Sequence, residues 1–356
     1  MTDNTTKTLE AKCFCGSVHF TVDVPASSIP FLAYLCHCSL CRYASGAPAI
    51  FHTHLPIGIV PKFVEPSSEK NMTSYLIGNE SGMWNFCSTC GCHIASIGAD
   101  KGNWVPATSI FINGPEYFDI RKHIYSKSTK DGGIAQALTH TGGQEFIDWN
   151  PEENSPQAKI DEAKPEIGED GKERLRVECE CKGVSFTVSR PTQEVIDDEF
   201  TAQFVSRRDK SKWNATFDVC DDCRLVIGTH VVGWTFVPLS SCEPRIKEDL
   251  LIGTAKTFKT SDDVLRSFCG TCGATVFYSH SDRWSSDGQQ HIVDVATGII
   301  RAPEGVMAEN WLTWRGRLAW FDSGKRHDKR FAEALQEGMN SWVKERYGEV
   351  DDYNIG

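Results

Sequence analysis

Cys13-Phe14-Cys15-Gly16-Ser17-Val18-His19-Phe20-Thr21-Val22 returns later in the chain as Cys179-Glu180-Cys181-Lys182-Gly183-Val184-Ser185-Phe186-Thr187-Val188. Each stretch is a pair of thiols one residue apart, followed by apolar residues at every second position. That alternation is the pattern of a half-buried β-strand. Farther on, Cys38-Ser39-Leu40-Cys41-Arg42, Gly46 and Pro56 match Cys220-Asp221-Asp222-Cys223-Arg224, Gly228 and Pro238, every pair 182 positions apart. The same offset carries Asn85-Phe86-Cys87-Ser88-Thr89-Cys90-Gly91 onto Ser267-Phe268-Cys269-Gly270-Thr271-Cys272-Gly273. A constant offset over this many landmarks marks an internal duplication. The reading is a mainly β chain of two tandem small β-rich zinc-binding domains, at residues 1–140 and 174–356, joined by an acidic, proline-containing linker at 141–173. The first two pairs are offset by 166, so the second copy carries 16 extra residues, expected as a surface loop near Asp197–Asn214. Phe331, Leu335, Met339, Trp342 and Val343 recur at helical spacing, which predicts a packing helix over Asp328–Gly348.

The chain has 356 residues, 40% of them hydrophobic and 24% charged, within the range of ordinary globular proteins. It has no apolar run long enough to span a membrane, and Met1–Lys12 lacks the apolar stretch of a secretory signal, so the cytosol or the nucleus is the expected compartment. A net charge of −11 disfavours nucleic acid, whose phosphates bind clustered Lys and Arg. In a reducing compartment fifteen cysteines are more readily metal ligands than disulfides.

The spacing points to zinc, because short Cys-x-Cys and Cys-x-x-Cys turns offer two thiolates to one tetrahedral ion. Cys13, Cys15, Cys87 and Cys90 make one closed, structural set, and Cys179, Cys181, Cys269 and Cys272 repeat it. Gly91 and Gly273, just after the last ligand, are expected to turn amides toward the sulfurs. Cys36, Cys38 and Cys41 are three ligands, which leave one position vacant for water or substrate as in catalytic sites. His37, His52, His54 or Cys92 could instead close that position, although His37, between two ligands, is expected to point away. In the second copy the triad becomes Asp218, Cys220 and Cys223, a weaker donor set that reads first as an emptied site kept as scaffold. The expected content is about two zinc ions in the first domain and one or two in the second. Cys242 has no counterpart and is expected to be a buried apolar residue.

Cys-x-Cys-Gly-x-Val, then Cys-His-Cys-x-x-Cys-Arg with Ser45-Gly46, then Phe-Cys-x-x-Cys-Gly, resembles the glutathione-dependent formaldehyde-activating enzyme family, also called the centromere protein V family. The resemblance covers roughly residues 10–135 and 175–325. It implies a β-rich fold around the closed site, with Cys36, Cys38 and Cys41 as catalytic ligands in a cleft and Arg42 as the arginine that follows them. It further implies a carbon–sulfur lyase-type or S-(hydroxymethyl)glutathione synthase activity, with glutathione as co-substrate and a small thiol–aldehyde adduct as the partner molecule. Two roles stand open for Arg42: meeting a substrate carboxylate or the thiolate charge, and pairing on the surface. A non-catalytic, zinc-stabilised binding or scaffold protein is the alternative, and a redox sensor working through Cys92 or the triad thiols is a weaker one.

Overall fold

The computed structural model describes residues 5–78, 82–151 and 163–350. The first ligand turn lies between β1 (Thr6–Lys12) and β2 (His19–Pro25), antiparallel partners whose Leu9, Ala11, Phe20, Val22 and Val24 all face the core. β3 (Phe31–Cys36) is flanked by β4 (Ile50–His52) and, in parallel, by β10 (Phe118–Ile124). A separate antiparallel sheet runs through β6 (Met72–Leu76), β7 (Gly82–Cys87), β8 (His93–Gly98) and β9 (Trp104–Pro106). A bridge from His52 to Ala107, just past β9, joins it to β4.

In the second half the equivalent strands close into one seven-stranded sheet, because Val232–Pro238 pairs directly with Ile292–Ala296. The protein is thus mainly β, as the alternation predicted, with cysteine clusters in both halves. The extra residues of the second copy are not a loose loop. They fold into short helices, Gln193–Asp197 and Glu199–Ala202, and the turn after them buries Phe204 and Val205 completely. Apolar side chains inside the insertion made this outcome favourable.

The stretch expected as linker contains paired strand at both ends. Ile147–Trp149 adds to β10, and Glu166–Ile167 pairs with Glu173–Glu178, while residues 152–162 lie outside the described residues. The terminal helix, Phe321–Tyr347, is longer than expected and is broken at Asp328, whose φ of −142° and ψ of 89° are not helical. Asp328 Oδ1 accepts from Phe331 N at 3.0 Å, so the sequence pattern had found the start of the second segment. Phe331, Leu335, Met339, Trp342 and Val343 are all buried.

The halves clasp through equivalent contacts. Phe14 N donates to Leu225 O at 3.1 Å, and its counterpart Glu180 N donates to Tyr43 O at 3.0 Å. Phe86 and Phe268, equivalent residues, meet edge to face at 6.4 Å. Gly91 (φ +82°) and Gly273 (φ +86°) each lie against the other half's phenylalanine, Phe268 and Phe86, with no room for a Cβ. Their amides bond the carbonyls of Cys87 and Cys269 rather than the sulfurs, so these glycines serve the close approach of the halves.

Candidate metal centres

β1 ends one residue before Cys13, and the hydrogen bond from Cys13 N to Val18 O, 3.0 Å, folds the turn that presents Cys13 and Cys15. β7 ends at Cys87, and the following turn brings in Cys90. Cys15 Sγ lies 3.6 Å from both Cys13 Sγ and Cys87 Sγ, and the four sulfurs lie within 4.8 Å of one another. A disulfide would need about 2.05 Å. A tetrahedron with zinc–sulfur bonds of about 2.3 Å has edges of about 3.8 Å, so the donor set fits that ion. The repeat at Cys179, Cys181, Cys269 and Cys272 has the same form, with sulfur separations of 3.6 and 3.5 Å. Amides of Val184, Gly183 and Thr271 point at its sulfurs from 3.3 to 3.4 Å, and Thr254 Oγ1 lies 3.0 Å from Cys269 Sγ. Such contacts favour thiolates. All fifteen cysteines are free.

The triad forms where β3 ends. His37 N bonds Ile124 O at 3.0 Å, the chain turns, and Cys38 becomes the N-cap of α1 (Ser39–Ser45), its sulfur accepting from Cys41 N at 3.4 Å. Cys36, Cys38 and Cys41 thus converge, with Cys36 and Cys38 sulfurs 3.5 Å apart and all three within 4.8 Å. Hydrogen bonding from Cys36, then Cys41, holds the Cys38 thiol well below its ordinary value. The wall around the sulfurs is apolar, built from Ile50, Trp84, Phe86 and Phe268, with Tyr34 and Leu40 against it. Burial, with the Cys36 charge next, keeps the Tyr34 phenol protonated.

No fourth His, Cys, Asp or Glu ligand atom joins the three sulfurs among the described residues. His37 turns to His123, Nε2 to Nδ1 at 2.9 Å. His52 faces His93 at 2.6 Å, and His93 stacks on Trp84 with ring centroids 3.6 Å apart. His54 stacks on Tyr34, while Cys92 Sγ points to the carbonyl of His93. Arg42 is 1% exposed, so it is no surface ion-pair partner. Its Nε donates to His37 O at 3.0 Å, and its charge favours the Cys38 thiolate.

Residues 8–128 match the family model described as glutathione-dependent formaldehyde-activating enzyme, GFA. This part of the chain is similar to the GFA family. The matched span contains the first four-cysteine set, the open triad and Arg42. No curated protein and no solved structure matches the chain. The likeness of the second half to the first rests on the 182-residue offset and on the equivalent contacts across the two halves.

In that second half Asp218, Cys220 and Cys223 do converge, their ligand atoms within 4.8 Å. Asp218 Oδ1 accepts from Cys220 N at 2.7 Å, and Oδ2 accepts from Trp234 Nε1 at 3.2 Å and from Cys223 Sγ at 3.4 Å. Arg266 lies on the triad, both terminal nitrogens 3.5 Å from Cys223 Sγ. The constant offset places Arg266 where the first half has Trp84, a sequence signal that only the repeat could have exposed. The triad lies on a cavity of about 670 Å³. Cys242, as expected, is buried, and burial pushes its thiol up to about 12.

Proposed function

We propose that the protein is a zinc-dependent enzyme of the carbon–sulfur lyase type, joining or separating a glutathione-like thiol and an aldehyde carbon at Cys36, Cys38 and Cys41. The observation that carries this reading is a trio of converging sulfurs with no fourth protein ligand among the described residues. Zinc bound there would supply a vacant position and acidify a thiol that takes it. Cys36, Cys38 and Cys41 would hold the ion, and the two four-cysteine sets would hold one each as structural ions. Hydrogen bonds from Cys36 and Cys41 favour the Cys38 thiolate, and the buried Arg42 adds its charge to them, which makes Arg42 a positioning residue rather than a substrate contact. The apolar wall keeps water from the reacting thiol and strengthens its electrostatics. In the synthetic direction the thiol sulfur bonds the aldehyde carbon, and the thiol proton passes to the carbonyl oxygen. A reducing cytosol or nucleus suits fifteen free thiols.

Cys38→Ala tests the proposal. Turnover of a glutathione–formaldehyde adduct, followed by NMR exchange, should fall at least about a hundredfold while the two four-cysteine ions and the circular dichroism are retained. A variant that stays active, or that fails to fold, would make the triad a structural site and favour the scaffold reading.

A further inference from the structure

The cavity beside Asp218, Cys220 and Cys223 is built unlike its counterpart in the GFA domain. Arg266 stands at the place of Trp84, and Arg283, Arg315 and Arg326 line the same space. Arg266 is already engaged with Cys223 and Asp218 with its own donors, so the floor of the cavity is satisfied. The wall is not. Arg283 and Asp294 face each other loosely, Nη2 to Oδ2 at 3.9 Å, and each keeps one buried atom, Nη1 and Oδ1, without a hydrogen-bond partner. Asp294 is 5% exposed. Leaving such groups unpaired costs on the order of 1–3 kcal/mol each, so their retention marks a place where something else completes them.

Arg283 is fixed in place between Phe204 and Phe236, its guanidinium carbon 5.4 and 5.3 Å from the two ring centres. At the rim Trp320, 66% exposed, is held with φ at +53°, a conformation that costs energy for a side chain of this size.

We propose that this cavity binds a small zwitterion, an amino acid or short peptide. Its carboxylate meets the guanidinium of Arg283, and its neighbouring ammonium meets the carboxylate of Asp294, both side chains turning out of their loose mutual contact to do so. An adjacent donor and acceptor match the two charged groups that an α-amino acid carries on one carbon. Trp320 lies over the bound molecule. On this account the second half is a recognition module and not an emptied scaffold, and the assignment is independent of the lyase reading of the first half.

Titration calorimetry of the full chain with S-methylglutathione and S-methylcysteine tests it. Their capped sulfurs offer no thiol to the Cys36–Cys38–Cys41 centre. At least one probe should bind saturably, and Arg283→Gln and Asp294→Asn should each weaken it about tenfold or more. Cys38→Ala should leave that binding unchanged even though it removes turnover. Should either wall variant misfold by circular dichroism, Trp320→Phe at the exposed rim is the substitute. It should weaken binding and remove the accompanying change in tryptophan emission. Absence of binding at millimolar concentration for both probes would overturn the proposal. So would binding that is unaffected by Arg283→Gln or, in its place, by Trp320→Phe, and so would binding that is lost in Cys38→Ala.

Discussion

His52 and His93 meet through their Nε2 atoms beneath Trp84, and the burial that places them there also keeps them neutral. Burial pushes His52 down to about 3. An unfolded histidine titrates near 6.5, so between these values the unfolded chain holds a proton that the folded chain refuses. The contribution is therefore complete above about pH 6.5 and is lost as pH falls toward 3, at roughly 1.4 kcal/mol per pH unit. Urea unfolding at pH 7 and pH 5 should show a loss of about 2 kcal/mol from this residue. In His52→Gln that part of the slope should vanish, and an unchanged slope would remove His52 from the account. At this scale the cysteines were legible in the sequence, because short turns leave their sulfurs few places to go. Trp84 and His93 were not, since an aromatic residue in a strand reads as ordinary core whether it backs a metal centre or not. Arg266 was equally hidden: a charged residue in a strand gives no sign that it is 5% exposed and directed at a thiol.

Two short helices carry the triads, Ser39–Ser45 and Asp221–Ile227, and both end on a left-handed glycine. Gly46 (φ +79°) and Gly228 (φ +80°) cap carbonyls of Arg42 and Arg224, and a Cβ on either would lie 2.3 Å from a backbone oxygen of the other half, on Thr275 or His93. Gly228→Ala should cost about 2 kcal/mol or more, from the left-handed backbone and from a clash with main chain that cannot swing aside. A melting temperature lowered by several degrees would bear this out, and an unchanged one would mean the halves are not in contact there. Gly46 and Gly228 were legible only as landmarks of the repeated spacing, and the terminal helix was legible as far as its cap at Asp328. The helices of the insertion were not, because Phe200 and Phe204 recur over too short a span to show a period.

The whole molecule joins each half's ligand turn to the other half's triad helix. Glu180, between Cys179 and Cys181, bonds Tyr43 of the first triad helix and accepts the hydroxyl of Tyr75, while Arg301, which donates to the carbonyls of Glu178 and Cys179, stacks on Tyr43 with its guanidinium carbon 3.2 Å from the ring centre. Ordering of that turn by metal should therefore steady the first half's centre. Cys181→Ala should lower zinc content and cut turnover at Cys36, Cys38 and Cys41 severalfold, although it lies in the other half. Full activity with the second ion lost would show the halves to be independent. The repeated cysteine spacing was legible from offsets alone, but the clasp was not, since an apolar pattern marks a face as buried without naming what buries it. The central claim is that one of the metal centres has three cysteines and an open position, and cadmium-113 NMR of the cadmium-loaded chain addresses it most directly. The expected spectrum has two resonances of four-thiolate sites and one of a less sulfur-rich site that moves toward them when glutathione is added and disappears in Cys38→Ala. A third resonance already at the four-thiolate position, or one that glutathione leaves unmoved, would contradict the account.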